Sequence, residues 1–405
     1  MTTSRDRVMR SLAFRSPDRL PKDLGGMRST GISAFAYPQL VAALGLPPRL
    51  PRVEDTYQML ALPDLDVLEA LGCDVVTICD GVTNAFDQPA LWHTYRFNGR
   101  LEALVRHPRR FRAEPDNAIR QGSSRMVLDS YVFDAPHGGQ PLNLDADLPK
   151  LDLKRFKRRL HSQELRDEQI RAISLLCRQV RDASDRAVFL NEGSLNAPIS
   201  IHAHGGLAVF PILCLLEPDY VDELHSIATE YTLRNIRALL PEISSTVDII
   251  MIAADDWGTQ RNTIASPQVY RDLFLPFRRQ INDACHSLAP QAKLFLHSCG
   301  AIYDLLDLII ESGFDIVNPV QWPAGGHTFR EWKDRARNRL ALWGGGIDAQ
   351  HTLVHGSLAE VQDEASIVAS YLGQDGGFVF CNIHNLLAEV PADKIIALYR
   401  AVSVL

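Results

Sequence analysis

The stretch Phe295-Leu296-His297-Ser298-Cys299-Gly300 puts an imidazole and a thiol two positions apart at the end of an apolar run. On an extended strand such residues point to one face. Histidine nitrogen and cysteine sulfur sharing a face suit zinc, which takes them at ~2.0 and ~2.3 Å. A buried cysteine beside a satisfied core histidine would look the same, so the pair alone leaves both readings open. Gly300 then lets the chain turn sharply. A second apolar run, Gly376-Gly377-Phe378-Val379-Phe380-Cys381-Asn382-Ile383-His384-Asn385, ends in another cysteine and histidine. Cys381 has apolar neighbours and suits a strand core, whereas His384 falls in the loop beyond, where polar side chains more often carry function. Asp255 and Asp256 follow another apolar run, and Glu192 a further one. A carboxylate at such a place can be a ligand, a partner orienting a ligand histidine, or a base. His202 and His204 have spacing that invites a metal, but no third ligand is apparent, so substrate contact suffices for them. Gln321 and Asp348 are candidate substrate-pocket residues. Gly344-Gly345-Gly346 lacks the lysine and Ser/Thr of a phosphate-binding loop, which favours close backbone approach in a turn.

Positioning these residues requires elements that converge on one end. Apolar runs bounded by turn residues predict eight strands, at Leu20–Gly25, Asp74–Cys79, Ala187–Asn191, Asp248–Ala253, Lys293–His297, Asp315–Pro319, Arg339–Trp343 and Gly377–Cys381. Segments of helical period lie between most of them, including Tyr270 to Ile281, Ile302 to Ile309 and Ile395 to Val402. Nearly all-apolar strands alternating with helices predict a parallel sheet. Eight such units favour a closed (β/α)8 TIM barrel, an α/β fold whose reactive groups gather at the C-terminal strand ends. The interval from about 84 to 160 is too long for one helix and holds two hairpin pieces, the first with a strong Asn98-Gly99 turn. It reads as an insertion between the second and third strands of a single domain spanning 1–405. The run Lys154, Arg155, Lys157, Arg158, Arg159 reads as a solvated helix start.

Composition narrows the function classes. With 46% hydrophobic and 22% charged residues the chain is neither disordered nor coiled-coil. A net charge of −7 implies no general attraction to nucleic acid or to an anionic membrane. The longest apolar stretch is too short to span a bilayer. The first residues lack a signal peptide's apolar core, and seven scattered cysteines suit a reducing compartment, so a cytoplasmic protein is expected.

Several of these pieces together resemble the uroporphyrinogen decarboxylase superfamily. They are His297-Ser298-Cys299-Gly300, Gly313 through Asn318-Pro319 to Gln321, Trp343-Gly344-Gly345-Gly346-Ile347-Asp348, and Gly376-Gly377-Phe378 through His384 to Pro391 and Lys394-Ile395-Ile396. Arg5-Asp6-Arg7-Val8 to Pro21 and Asp255-Asp256-Trp257-Gly258-Thr259-Gln260 are similar to its methyltransferase-like branch. The resemblance implies a (β/α)8 barrel. It also implies one of two chemistries. The decarboxylases use no metal, grip substrate carboxylates with an arginine-rich motif near the N-terminus, and carry a catalytic aspartate that would correspond to Asp80. Here Gly25-Gly26-Met27-Arg28-Ser29-Thr30 offers a single arginine at that place. The methyltransferases bind zinc through the histidine and cysteine of HxCG plus a cysteine on the last loop, and work with corrinoid proteins. Counting back from Pro391 puts His384 where that cysteine is expected, with Cys381 as the alternative third ligand. The resemblance thus implies zinc on His297, Cys299 and His384, and a methyl group passed between a small methylated compound or thiol and a corrinoid. The chain lacks the DxHxxG signature of a corrinoid-binding module, so any corrinoid would come on a separate protein or free in solution. The alternative is a metal-independent decarboxylase or lyase using Asp80 and His384 on an acidic substrate.

Overall fold

The apolar runs pair into a curled, eight-stranded sheet with helices packed on its outer face. The computed structural model describes residues 2–80, 83–134 and 148–403. Seven strands run parallel in the order of the chain: Val75–Cys79, Ala187–Asn191, Ile249–Ala254, Lys293–His297, Ile316–Asn318, Ala341–Trp343 and Phe378–Val379. The eighth, Thr83–Asn84, folds back antiparallel on the first.

This departs from the expected eight parallel strands in one place. Leu20–Gly25 forms no regular strand and makes only a bridge from Lys22 to Phe380. Pro21 has no N–H to donate, and the Lys22 N–H is taken by the Asp74 carboxylate, at 3.0 Å. The segment still bonds to the residues flanking the first and last of the seven parallel strands. Phe380 N donates to Pro21 O and Asp23 N to Phe380 O, while Asp74 N donates to Lys22 O.

Strand alternation divides the core in two. Val75, Phe189, Ile249, Phe295, Ile316, Trp343, Val379 and Cys381 point inward into one apolar cluster. The residues between them face the helices and form the larger core. Val8 and Leu12 of the helix Ser4–Leu12 join the inner cluster. Arg7 of that helix donates to Asp74 at 2.7 Å and Arg5 to Asp248 at 2.7 Å. Both aspartates precede strands, so this helix lies over the N-terminal strand ends.

The predicted helix around Tyr270–Ile281 is two, Pro267–Leu273 and Leu275–Leu288, broken at Phe274 ahead of Pro276. The insertion contains the hairpin His93–Phe97/Leu101–Val105, turning at Asn98-Gly99 with positive φ at both, and the sheet Phe111–Ala113, Ile119–Gln121, Ser124–Met126. The end of the second hairpin piece, beyond residue 134, lies outside the described residues. A three-stranded antiparallel sheet of Ile32–Ser33, Val53–Asp55 and Leu60–Ala61 was not expected from the sequence.

Candidate metal centre

His297 is the last residue of its strand and pairs in register with Ala254 on one side and Asn318 on the other. That pairing brings the segments after both neighbours to its side chain. Beyond the strands, Asp255 N donates to His297 O at 2.9 Å and Gly258 N to Cys299 O at 3.1 Å. The two turns press together at Gly258 and Gly300. A Cβ on Gly258 would lie 2.3 Å from Ala301 N, and one on Gly300 would lie 2.4 Å from Gly258 C. Only glycines permit that approach. It holds Asp256 against Cys299, whose backbone N–H donates to Asp256 Oδ1 at 2.9 Å.

One nitrogen of His297, one oxygen of Asp256 and the sulfur of Cys299 lie within 4.8 Å of one another. His297 is buried, and its Nδ1 stands 2.7 Å from Asn318 Oδ1. The Asn318 amide is oriented by its other end, since Nδ2 donates to Trp343 O at 3.0 Å. Its oxygen therefore accepts from Nδ1–H, leaving the Nε2 lone pair toward Ser29 Oγ at 3.3 Å and Asp256 Oδ1 at 3.4 Å. An imidazole lone pair facing a carboxylate oxygen is repulsive unless a positive charge lies between them. Either a proton on Nε2 or a metal cation supplies it.

The charges of the cluster respond to one another. Burial would raise the Asp256 carboxyl, but His297 and hydrogen bonds from Cys299 outweigh it and hold the group below its usual range. Burial pushes the Cys299 thiol up to about 12, with Asp256 adding to the shift. A cation at this point would have to displace that proton, as metals do at thiol ligands.

His384 adopts a left-handed backbone, φ +61°, fastened by the Asn382 side-chain amide donating to the His384 carbonyl. Its ring centroid is 5.6 Å from that of His297 at 66°. Burial, and then the neighbouring His297, lower its pKa to about 4, so it is neutral at physiological pH. Cys381 is fully buried in the inner apolar cluster.

A family model described as uroporphyrinogen decarboxylase (URO-D) matches residues 152–404. The chain belongs to the URO-D family. Among solved structures, a methyltransferase from Methanosarcina mazei matches with a TM-score of 0.56 and 16% identity, over 99% of this chain and 98% of that one. At that identity the likeness concerns the fold. An endo-1,4-beta-xylanase from Caldicellulosiruptor owensensis matches at 12% identity over 59% of this chain and 76% of its own, with a TM-score of 0.31, too low to carry any argument. A search of curated proteins returned no match.

The other site residues expected in this URO-D chain fall into two groups. Asp80 follows its strand with positive φ, half exposed, and accepts from Arg28 at 2.7 Å. Arg28 also reaches Glu54 at 3.0 Å and Asp55 at 3.4 Å, so three carboxylates surround it. Glu192 is buried, which raises its pKa, and its Oε1 accepts from Ser194 Oγ at 2.8 Å. His202 lies close enough to Asp256 to help lower its pKa. The remaining residues hold loops. Gln321 Oε1 accepts from Gly300 N at 2.7 Å, securing the turn after Cys299. Asp348 Oδ1 accepts from the backbone of Gln350 and His351. Asp255 accepts from Ile201 N and Trp257 Nε1. Ser29, Asn318, Arg28 and Glu54 were not singled out as site residues from sequence. Asn318 could have been found, because it ends the strand neighbouring His297.

Proposed function

We propose that this URO-D family chain is a zinc-dependent methyltransferase, moving a methyl group between a small methylated compound or thiol and a corrinoid carried by a separate protein. The observation that carries this reading is the convergence of His297, Cys299 and Asp256 donor atoms within 4.8 Å at the strand ends. Nitrogen, sulfur and carboxylate oxygen form a donor set that zinc accepts in catalytic sites, with a further position open to substrate. When bound, zinc supplies Lewis acidity, lowering the pKa of an acceptor thiol or making a donor oxygen a better leaving group.

The chain's own residues do the rest. Asn318 holds the His297 ring so that Nε2 faces the cluster. Gly258 and Gly300 let the two turns close, and Gln321 fixes the second of them. The distances support Asp256 for the third donor position, which the sequence count assigned to His384. His384, neutral and beside His297, then faces the same space as a further donor or a substrate contact. Cys381 is packed among Phe295, Trp343 and Val379 in the inner core, which supports leaving it out of the donor set.

We place the catalytic end of a (β/α)8 barrel here, with Pro21–Asp23 taking the eighth strand's place and residues 1–405 forming one domain. The decarboxylase alternative needs a free cation for substrate carboxylates, and Arg28 already faces three carboxylates of the protein. Among the described residues no helix is long and apolar enough to cross a membrane.

The test is a methyl-transfer assay with free methylcobalamin and a panel of thiols, using protein prepared with zinc and after chelation. Transfer that follows zinc content supports the reading. Equal transfer in both preparations, or carbon dioxide release from an acidic substrate without metal, would replace it.

A further inference from the structure

The helix Leu153–His161 carries five lysines and arginines and no acid, in a chain whose net charge is −7. Its Phe156 and Leu160 are buried, while Lys154, Arg155, Lys157, Arg158 and Arg159 are all exposed. Helix energetics do not favour this pattern. Lys154 and Arg155 occupy the first turn, where the helix dipole favours acids. Lys154 with Arg158, and Arg155 with Arg159, put like charges four residues apart, which weakens a helix.

This helix lies alongside Pro218–Ile243 and runs in the same direction. Leu151 N donates to Tyr220 Oη at 2.8 Å, Lys157 Nζ to Glu230 at 2.8 Å, and Leu165 N to Asn235 Oδ1 at 3.0 Å. A groove of about 540 Å³ runs between the two helices. The stripe Lys154, Lys157, Arg158 and His161 lines one side, and the stripe from Ile227 to Arg234 lines the other. The pair Lys157–Glu230 spans the groove, so the two stripes face each other across it.

The carboxylates of the groove are already answered from within. Glu230 takes Lys157 and Arg234, and Glu164 takes Arg234 at 2.9 Å and stands 3.1 Å from His161 Nδ1. Asp152, just before the helix, accepts from the Arg155 backbone N–H as its cap. Lys154 and Arg158 line the same groove and make no ion pair among the described residues. The groove is left positive.

We propose that this groove docks an acidic amphipathic helix of a partner protein. Its carboxylates meet Lys154 and Arg158, and its apolar side chains meet a floor of Leu160, Ile227 and Tyr231. An amphipathic helix laid in an apolar groove is a recurrent mode of recognition. Opposite charge along the rim steers and orients it. Nucleic acid would pair with the cations but leave the apolar floor uncovered, and the net charge of −7 opposes it. An anionic membrane offers no ridge to fill a groove. The apolar side of Leu153–His161 is also packed into the fold, so the helix has no face to insert. Docking here needs neither zinc nor the His297 cluster, so it stands apart from the methyl-transfer reading.

Fluorescence anisotropy of the whole protein with labelled peptides tests it. The probe is a helical peptide with a leucine stripe flanked by glutamates. One control replaces its glutamates with lysine, and another replaces its leucines with serine. The glutamate–leucine peptide is expected to bind ~10-fold or more tightly than either control. Lys154→Glu combined with Arg158→Glu should lower that affinity ~10-fold or more. The melting temperature should stay within a few degrees of the parent, because both side chains are exposed. Arg330→Glu combined with Arg337→Glu makes the same change in net charge elsewhere. It alters the segment after Ile316–Asn318, three strands from Ala187–Asn191, and should leave affinity within ~2-fold. Equal binding of either control peptide, equal loss from the two charge reversals, or no binding at millimolar concentration overturns the proposal. Tighter binding of a random RNA oligonucleotide or of phosphatidylserine vesicles, lost on reversal at Lys154 and Arg158, assigns the face to another partner and overturns it equally.

Discussion

Two groups of polar residues lie at this side of the fold, and they handle charge in opposite ways. Around Arg28, the carboxylates of Glu54, Asp55 and Asp80 gather about a guanidinium. Around His297, a carboxylate and an imidazole lone pair face each other, with a thiol beside them and no arginine or lysine paired to Asp256 among the described residues. In the first arrangement a cation of the fold already sits among the carboxylates. The second becomes favourable only when a proton or metal cation is added. A site that is incomplete in this sense is the better candidate for chemistry, because its stabilisation depends on what it binds.

The comparison can be broken most severely at Cys299. Cys299→Ala removes the only sulfur of the cluster, and zinc content after dialysis against a mild chelator should fall from about one per chain to near none. The melting temperature of the chelated protein should stay within a few degrees of the parent, since Cys299 lies outside both apolar cores. Zinc retained at parental levels would mean the two groups do not differ as argued.

Asn318 sharpens the contrast at the next level. Asn318→Ala leaves His297 Nδ1 without its acceptor, and zinc affinity should drop ~10–100-fold, as is usual for partners that orient a ligand histidine. Asn318→Asp keeps an acceptor and should retain most of the affinity. Nitrogen-15 spectra of labelled histidine in the zinc-loaded parent should show His297 with its proton on Nδ1 and none on Nε2. A proton on Nε2 would remove the orientation argument.

Arg28→Ala tests the arginine-centred group and should leave zinc content unchanged. It strands partly buried carboxylates, at a cost of about 1–2 kcal/mol read by urea denaturation. The pH dependence carries the sign. Burial raises the Glu54 pKa and Arg28 pulls it back, the net effect being upward. Above the ordinary glutamate range the folded protein therefore binds more protons than the unfolded chain, and the Glu54 contribution to stability declines as pH rises through that window. Removing Arg28 raises the Glu54 pKa further, so the decline should extend to higher pH. An unchanged profile would show that Arg28 does not control Glu54.

Much of the second group was legible because it depends on local geometry. His297 and Cys299 follow from strand alternation, and Asp256 follows from an adjacent strand end. What sequence could not rank was which of Asp256, His384 and Cys381 comes nearest, since that depends on the Gly258–Gly300 approach between two separate turns. The Arg28 group was almost invisible. Its members come from a short turn, an unexpected antiparallel sheet and a strand end, joined by contacts no periodicity reports. The strands were found by their apolar runs, but Leu20–Gly25 was overread. Its apolar content matches a strand, while Pro21 lacks an N–H and the Asp74 carboxylate takes that of Lys22.

Zinc stoichiometry combined with zinc K-edge X-ray absorption on the purified parent protein tests the metal centre most directly. About one zinc per chain is expected, with a single sulfur at ~2.3 Å and nitrogen or oxygen ligands at ~2.0–2.2 Å. Protein that takes up no zinc when it is supplied, or a site with two sulfur ligands that would bring Cys381 out of the inner core, would contradict the assignment of His297, Cys299 and Asp256.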